Sequence, residues 1–87
     1  MHPVIILVKP QLAENIGMVA RAMKNCALTE LRIVNPEQSP TDTIALRASS
    51  GSEEILTSAK IYPTTKDAIS DLEIIKKKSN NYLIIPN

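Results

Sequence analysis

The chain has no tryptophan, no phenylalanine and only two tyrosines, Tyr62 and Tyr82, among its 87 residues. A core drawn from this composition is aliphatic, and aromatic platforms for stacking bases are not available in number. Cys26 is the only cysteine, which excludes an internal disulfide and any cysteine-rich metal site, so no metal ligand is assigned. Near the end of the first predicted helix it reads as a buried thiol. The one histidine, His2, stands beside the initiator methionine without acidic or cysteine partners clustered near it, and reads as a frayed terminus rather than a ligand. Ten basic residues against nine acidic leave a net charge of +1, so there is no global pull toward nucleic acid and any such contact has to be local. No basic region followed by a long apolar stretch is present, so neither a signal peptide nor a membrane span is expected and a cytoplasmic location follows by default. No internal repeat supports a second domain. At this length the chain is one small domain at most, burying roughly 60–65% of its unfolded surface and therefore marginal in stability.

What is present is organised around Leu7 to Pro36. Val4-Ile5-Ile6-Leu7-Val8 is apolar throughout and mostly β-branched, as suits a strand covered on both faces in a parallel sheet. Lys9-Pro10 ends it. Asn15 is a good N-cap for the helix that follows, whose apolar residues Ile16, Val19, Ala20 and Met23 repeat with the spacing of one buried face, with Ala27 at its end. Gly17, Arg21 and Lys24 fall on another face. A glycine there costs about 1 kcal/mol of helix propensity against alanine, which implies that something approaches the backbone closely. An anion is one answer, since a helix N-terminus offers free N–H groups and Arg21 adds a planar fork of donors. An ordinary cap, a packing glycine and a solvated arginine are the other.

Leu31 to Val34 is the second strand, interrupted by Arg32 and closed by Asn35-Pro36, and Asn35 is a candidate pocket residue because loops at this edge of a parallel sheet line the ligand crevice. Ser39-Pro40-Thr41-Asp42 reads as a helix start with Ser39 as cap, and the helix is expected to bury Ile44, Ala45 and Ala48 before Gly51. Glu53 and Glu54 open a further turn carrying Ile55 and Leu56, where they suit the helix dipole better than acid/base chemistry. Lys60-Ile61-Tyr62 is a short third strand. Thr64 to Asp67 offers a Thr-x-x-Asp cap for a helix with Ala68, Ile69 and Leu72, and Leu72 to Ile75 starts a fourth strand. Lys76 to Asn81 is a polar run suited to a solvated linker or to RNA phosphates, and Tyr82 to Ile85 is a further strand or a loose tail. Alternating strands and helices define an α/β class: a three-layer, Rossmann-like arrangement of about four parallel strands with helices on both faces.

The strand VIILVKP, then N-I-G-M-V-A-R-A-M-K-N, then L-x-E-L-R-I-V-N-P resembles, in order and spacing, the SpoU/TrmH-like branch of the SPOUT, or α/β-knot, RNA 2′-O-methyltransferases. Within that branch the TrmJ-like tRNA enzymes are the most similar. The resemblance implies the N-terminal half of an α/β-knot domain, with residues 1–75 belonging to it and 76–87 forming a divergent tail, the chain stopping before the knot. It implies S-adenosylmethionine as the family's methyl donor, bound by later motifs absent from these residues, so that no cofactor-binding residue is assigned. It further implies RNA, tRNA or rRNA, as partner, no membrane, and a homodimer in the family. Carried over position by position, Asn15, Gly17 and Arg21 bind substrate, with Arg21 as the cation on the target nucleotide's phosphate and Asn15 shaping the helix start, both counted as catalytic. The sequence departs from its relatives at Ala27, where they place glycine. A fragment inactive on its own, a non-catalytic phosphate-binding module and a structural remnant are the readings this leaves open.

Overall fold

The computed structural model describes residues 3–72 and 82–86. Expectations for His2, for a strand start at 73–75 and for the lysines at 76–78 lie outside the described residues. Strand β1, Val4–Val8, is buried at its first four positions and half-buried at Val8. Ile5 and Leu7 face one core, Val4 and Ile6 the other, which is why the run has no polar alternation. On one side β1 pairs in parallel with β2, Leu31–Val34, which pairs in turn with β3, Lys60–Tyr62. On its other side it pairs in parallel with β4, Tyr82–Pro86, giving the order β3-β2-β1-β4. The apolar stretch at Tyr82 to Ile85 is thus a strand of the same sheet, hydrogen-bonded to the central β1. Leu72 instead closes the turn after the last helix, its N–H donating to the Ile69 carbonyl at 2.9 Å.

Helices α1 (Ala13–Asn25), α2 (Thr43–Ser49) and α3 (Glu53–Thr57) cover the face of Ile5, Leu7, Leu31 and Ile33. Helix α4, Thr65–Ile69, covers the opposite face through Ala68. The expected three-layer α/β arrangement is therefore present. Thr64 caps α4 as expected, its hydroxyl accepting from the Asp67 N–H at 3.1 Å. Two other caps are corrected. Helix α1 begins after Leu12, two residues before Asn15, because Ala13 is buried and extends the apolar stripe of Ile16 and Ala20 by a turn. Helix α2 is capped by Asp42, which accepts from the Ile44 N–H at 2.8 Å, while Ser39 organises the turn before it through the Thr41 N–H. Ile44, expected in the core, is 46% exposed, since α2 turns its small residues Ala45, Ala48 and Ser49 toward α1. Cys26 is also exposed rather than buried, because the helix ends there and unwinds to the surface.

The end of α1 is a left-handed cap. Ala27 has φ 59°, its N–H reaches the Lys24 carbonyl at 3.1 Å, and the Leu28 N–H reaches that of Met23 at 2.8 Å. This pair of bonds is the Schellman arrangement, in which glycine at the left-handed position avoids a Cβ clash. Ala27→Gly should therefore stabilise the protein by about 1 kcal/mol, the left-handed penalty of a Cβ-bearing residue. Chemical denaturation with an unchanged m-value is the check, and an equal or lower midpoint would contradict it.

Arg32 explains how a charge sits in a buried strand. Its side chain is nearly inaccessible and lies under α4. Its guanidinium donates to both carboxylate oxygens of Asp71 at 2.7 and 3.1 Å, to Glu30 Oε2 at 2.9 Å and to the Ala68 carbonyl at 2.7 Å. The Tyr62 ring lies 5.7 Å from its central carbon. The Asp71 carboxyl is in consequence held below the ordinary aspartate range, first by the Arg32 hydrogen bonds. The fork ties β2 and β3 to the end of α4.

Candidate functional site

In an open parallel sheet, ligands gather outside the carboxyl ends of the strands where successive connections leave to opposite faces. Here β1 runs out to β2 over the face covered by α1, while β3 returns past β1 to β4 over the face covered by α4, so the switch lies at β1 and β4. Two strands end in left-handed residues followed by proline, Lys9 (φ 51°) after β1 and Asn35 (φ 46°) after β2. The Lys9 N–H donates to the Val34 carbonyl at 2.7 Å and that of Asn35 to the Tyr62 carbonyl at 2.8 Å, which binds the three carboxyl ends into one rim. Both side chains are exposed. Asn35 thus stands at the carboxyl edge where it was expected and Lys9 joins it there, but neither lines the grooves beside α1. Nothing in the sequence marks Lys9 for this, because a lysine carries no signal for positive φ.

Asn15, in the first turn of α1, borders a groove of about 300 Å³ between α1 and the ends of β1 and β4, lined also by Leu7, Met18, Val19, Ala22, Ile85 and Pro86. Gly17 is elsewhere. It is buried, and an added Cβ would lie 2.3 Å from the Ala45 carbonyl oxygen, 2.7 Å from Ala48 Cβ and 2.9 Å from the Ser49 N. What approaches the glycine backbone is α2 and not an anion, so the packing-glycine alternative describes it. Lys24, on the same stripe, is also committed to this seam, donating to the Gly51 carbonyl at 2.9 Å and pairing with Glu54 at 3.5 Å. Between them Arg21 is exposed and has no partner among the described residues. At 3.6 residues per turn, Asn15 and Arg21 point about 120° apart around the helix, so the groove contains the first and not the second. The element is therefore split: Gly17 seats α1 on α2, Asn15 faces the crevice, and Arg21 stands at the outer rim of the α1–α2 seam.

A second groove, of about 170 Å³, continues from the first along α1 and is lined by Ile5, Val19, Ala22, Met23, Cys26, Leu28 and Ile85. S-adenosylmethionine offers an adenine edge, a ribose diol, a sulfonium and an amino-acid end, which call for backbone donors, a carboxylate acceptor and paired charges. Across both grooves Asn15 is the only amide or charged side chain. These residues do not fit that cofactor. Among the described residues no cluster of three potential metal ligands occurs, and no helix is long and apolar enough to cross a membrane.

The Asn-x-Gly-x-x-x-Arg element thus lies on the first helix of a parallel α/β sheet, with Asn15 at the carboxyl edge. The chain belongs to the SpoU rRNA methylase family, whose sequence model matches residues 2–82. It is similar to the tRNA (cytidine-2′-O-)-methyltransferase TrmJ of Methanocaldococcus jannaschii, with 39% identity over 71 residues, 82% of this chain and 30% of that protein. The tRNA (cytidine/uridine/adenosine-2′-O-)-methyltransferase TrmJ of Pseudomonas aeruginosa is 38% identical over 71 residues, 82% of this chain and 27% of that protein. Among solved structures, TrmJ from Z. mobilis ZM4 superposes with a TM-score of 0.85 at 30% identity, covering 99% of this chain and 50% of that one. The chain thus spans about a third of the length of these curated relatives and half of the solved TrmJ. Membership implies use of S-adenosylmethionine by the family generally.

Proposed function

We propose that these residues form the RNA-facing half of a tRNA ribose 2′-O-methyltransferase, with the methyl donor held by parts of the fold that lie outside the 87 residues. The family match across residues 2–82, which includes the whole of α1, carries this reading. The names of the relatives supply the substrate class, tRNA, and the atom methylated, a ribose 2′-oxygen. In this role the exposed guanidinium of Arg21 holds a phosphate flanking the target nucleotide and places positive charge beside the ribose 2′-hydroxyl. The Asn15 amide, at the mouth of the crevice, orients the ribose. Gly17 serves the substrate indirectly, because the close α1–α2 seam fixes where Arg21 projects. Such positioning and charge stabilisation account for several kcal/mol in enzymes, but only with the donor held against the acceptor. In this reading the 87 residues by themselves have phosphate affinity without methyl transfer, and homodimer formation belongs to the complete family fold.

The test is tRNA binding as a function of salt. Arg21→Ala should weaken binding of tRNA by the 87-residue chain and reduce the slope of log affinity against log salt by about one unit, the contribution of one phosphate contact. Unchanged affinity and slope would remove Arg21 from the site. A radiolabelled methyl-transfer assay on total tRNA should show incorporation no greater than the Arg21→Ala control.

A further inference from the structure

Among the described residues, the non-glycine positions with left-handed backbone are of two kinds. Ala27 and Ser50 end helices, where a left-handed residue turns the chain off the last turn. Lys9 and Asn35 stand instead at the carboxyl ends of the neighbouring strands β1 and β2, although β3 reaches its own proline, Pro63, without one. Asparagine tolerates this conformation, but a lysine side chain has no means of offsetting it. Strain of this sort persists only where the surroundings fix it, and it gathers at ligand sites. Here the Lys9 and Asn35 N–H bonds to Val34 and Tyr62 are joined by a third, from the Glu37 N–H to the carbonyl of buried Pro10 at 3.2 Å. The loops after β1 and β2 are thereby locked together. Both side chains face solvent, and neither the Lys9 ammonium nor the Asn35 amide has a partner among the described residues. The outer end of β1 also borders the switch in strand direction described above.

We propose that Lys9 and Asn35 form a second substrate contact, in which the Lys9 ammonium holds an RNA phosphate other than the one at Arg21 and the Asn35 amide bonds to a neutral polar edge of the adjoining nucleotide. This rests on the reading of tRNA as substrate and deepens it. An ammonium is a point charge with three donors, suited to a phosphate, whereas an amide supplies a donor and an acceptor without charge. Arg21 lies about 12 Å along the axis from Ala13, the first residue of α1, so the two cations engage separate phosphates. With a net charge of only +1, the chain depends on such local cations for the electrostatic share of its affinity. Glycine at position 9 would suit the backbone better and the substrate worse.

The experiment is Lys9→Gly, for which stability and binding should move in opposite directions. Thermal unfolding should give a melting temperature above that of the parent, because the left-handed penalty is removed. Binding of tRNA should weaken, and the slope of log affinity against log salt should fall by about one unit, while Lys9→Arg keeps it. Combined with Arg21→Ala, the loss of slope should be about two units. Asn35→Gly should weaken binding by a similar factor at every salt concentration and leave the slope unchanged. If Lys9→Gly keeps the parent slope while Arg21→Ala lowers it, this contact is overturned and the Arg21 reading stands. The converse result keeps the contact and removes Arg21, and unchanged slopes in both variants overturn both. A Lys9→Gly chain that binds more weakly but melts below the parent would make the loss one of folding and would also overturn the proposal.

Discussion

Gly17→Val should be among the most damaging single substitutions in the protein, although it replaces a helix-interior glycine with a residue of better helix propensity. The gain from propensity is under about 1 kcal/mol. Against it stands the α2 backbone: even the Cβ of alanine would fall 2.3 Å from the Ala45 carbonyl oxygen, a contact that only movement of the whole helix relieves. Over-packing of this kind costs about 1–3 kcal/mol, more when backbone must shift. Gly17→Ala should lose a smaller amount and Gly17→Val a larger one, in a domain whose total stability is on the order of 0.05–0.15 kcal/mol per residue. Thermal unfolding of the pair is the measurement, at about 4–8 °C per kcal/mol for a domain of this size. If both variants melt at or above the parent temperature, α2 does not sit on Gly17. If instead stability falls while tRNA affinity is retained, the glycine's effect on Arg21 is smaller than assigned.

The second large effect is expected at the Arg32 fork, and it has a counterintuitive order. Asp71→Ala removes an exposed carboxylate but leaves the buried guanidinium with fewer acceptors, and hydrogen bonds to charged groups are worth about 1.5–3 kcal/mol. Arg32→Met removes the buried charge itself, keeps apolar volume between the sheet and α4, and leaves the exposed carboxylates of Asp71 and Glu30 to water. Asp71→Ala should therefore destabilise more than Arg32→Met, by about 1 kcal/mol or more. The reverse order in urea unfolding would mean that the fork stabilises by attraction alone. The pH dependence follows from the lowered Asp71 carboxyl. A depressed folded value gives stability that is complete above the ordinary aspartate range, near about 3.9, and is lost as pH falls through the folded value. The parent should lose stability on acidification below that range more steeply than Asp71→Asn does, and parallel profiles would exclude Asp71 as the cause.

The strands were legible where composition forces a choice. Val4 to Val8 has no polar position, and only a strand buried on both faces accommodates that, so β1 could be placed before its partners were known. Lys60 to Tyr62 and the Thr64 cap are similarly local, and both stand where the residues indicate. The helix starts were less legible. Asn15 is a better cap than Leu12 by intrinsic preference, yet Ala13 enters the helix because the core beneath it accepts one more apolar turn. Tyr82 to Pro86 has the composition of a strand but no local feature says that it pairs with β1 across most of the chain.

By itself, the sequence determined the α/β class, the apolar face of α1, and the helix that carries Asn15, Gly17 and Arg21, since these depend on residue type and spacing within one turn or one strand. Only the tertiary structure decided what those residues meet. Gly17 lies against α2 because Ala45, Ala48 and Ser49 are brought there from 28 to 32 residues away along the chain. Lys24 is spent on Gly51 and Glu54, Arg32 is buried because Asp71 arrives from 39 residues on, and Arg21, at the rim of the α1–α2 seam, is exposed without a partner among the described residues. Close approach between distant segments is set by packing, and packing leaves no mark in the spacing of one helix.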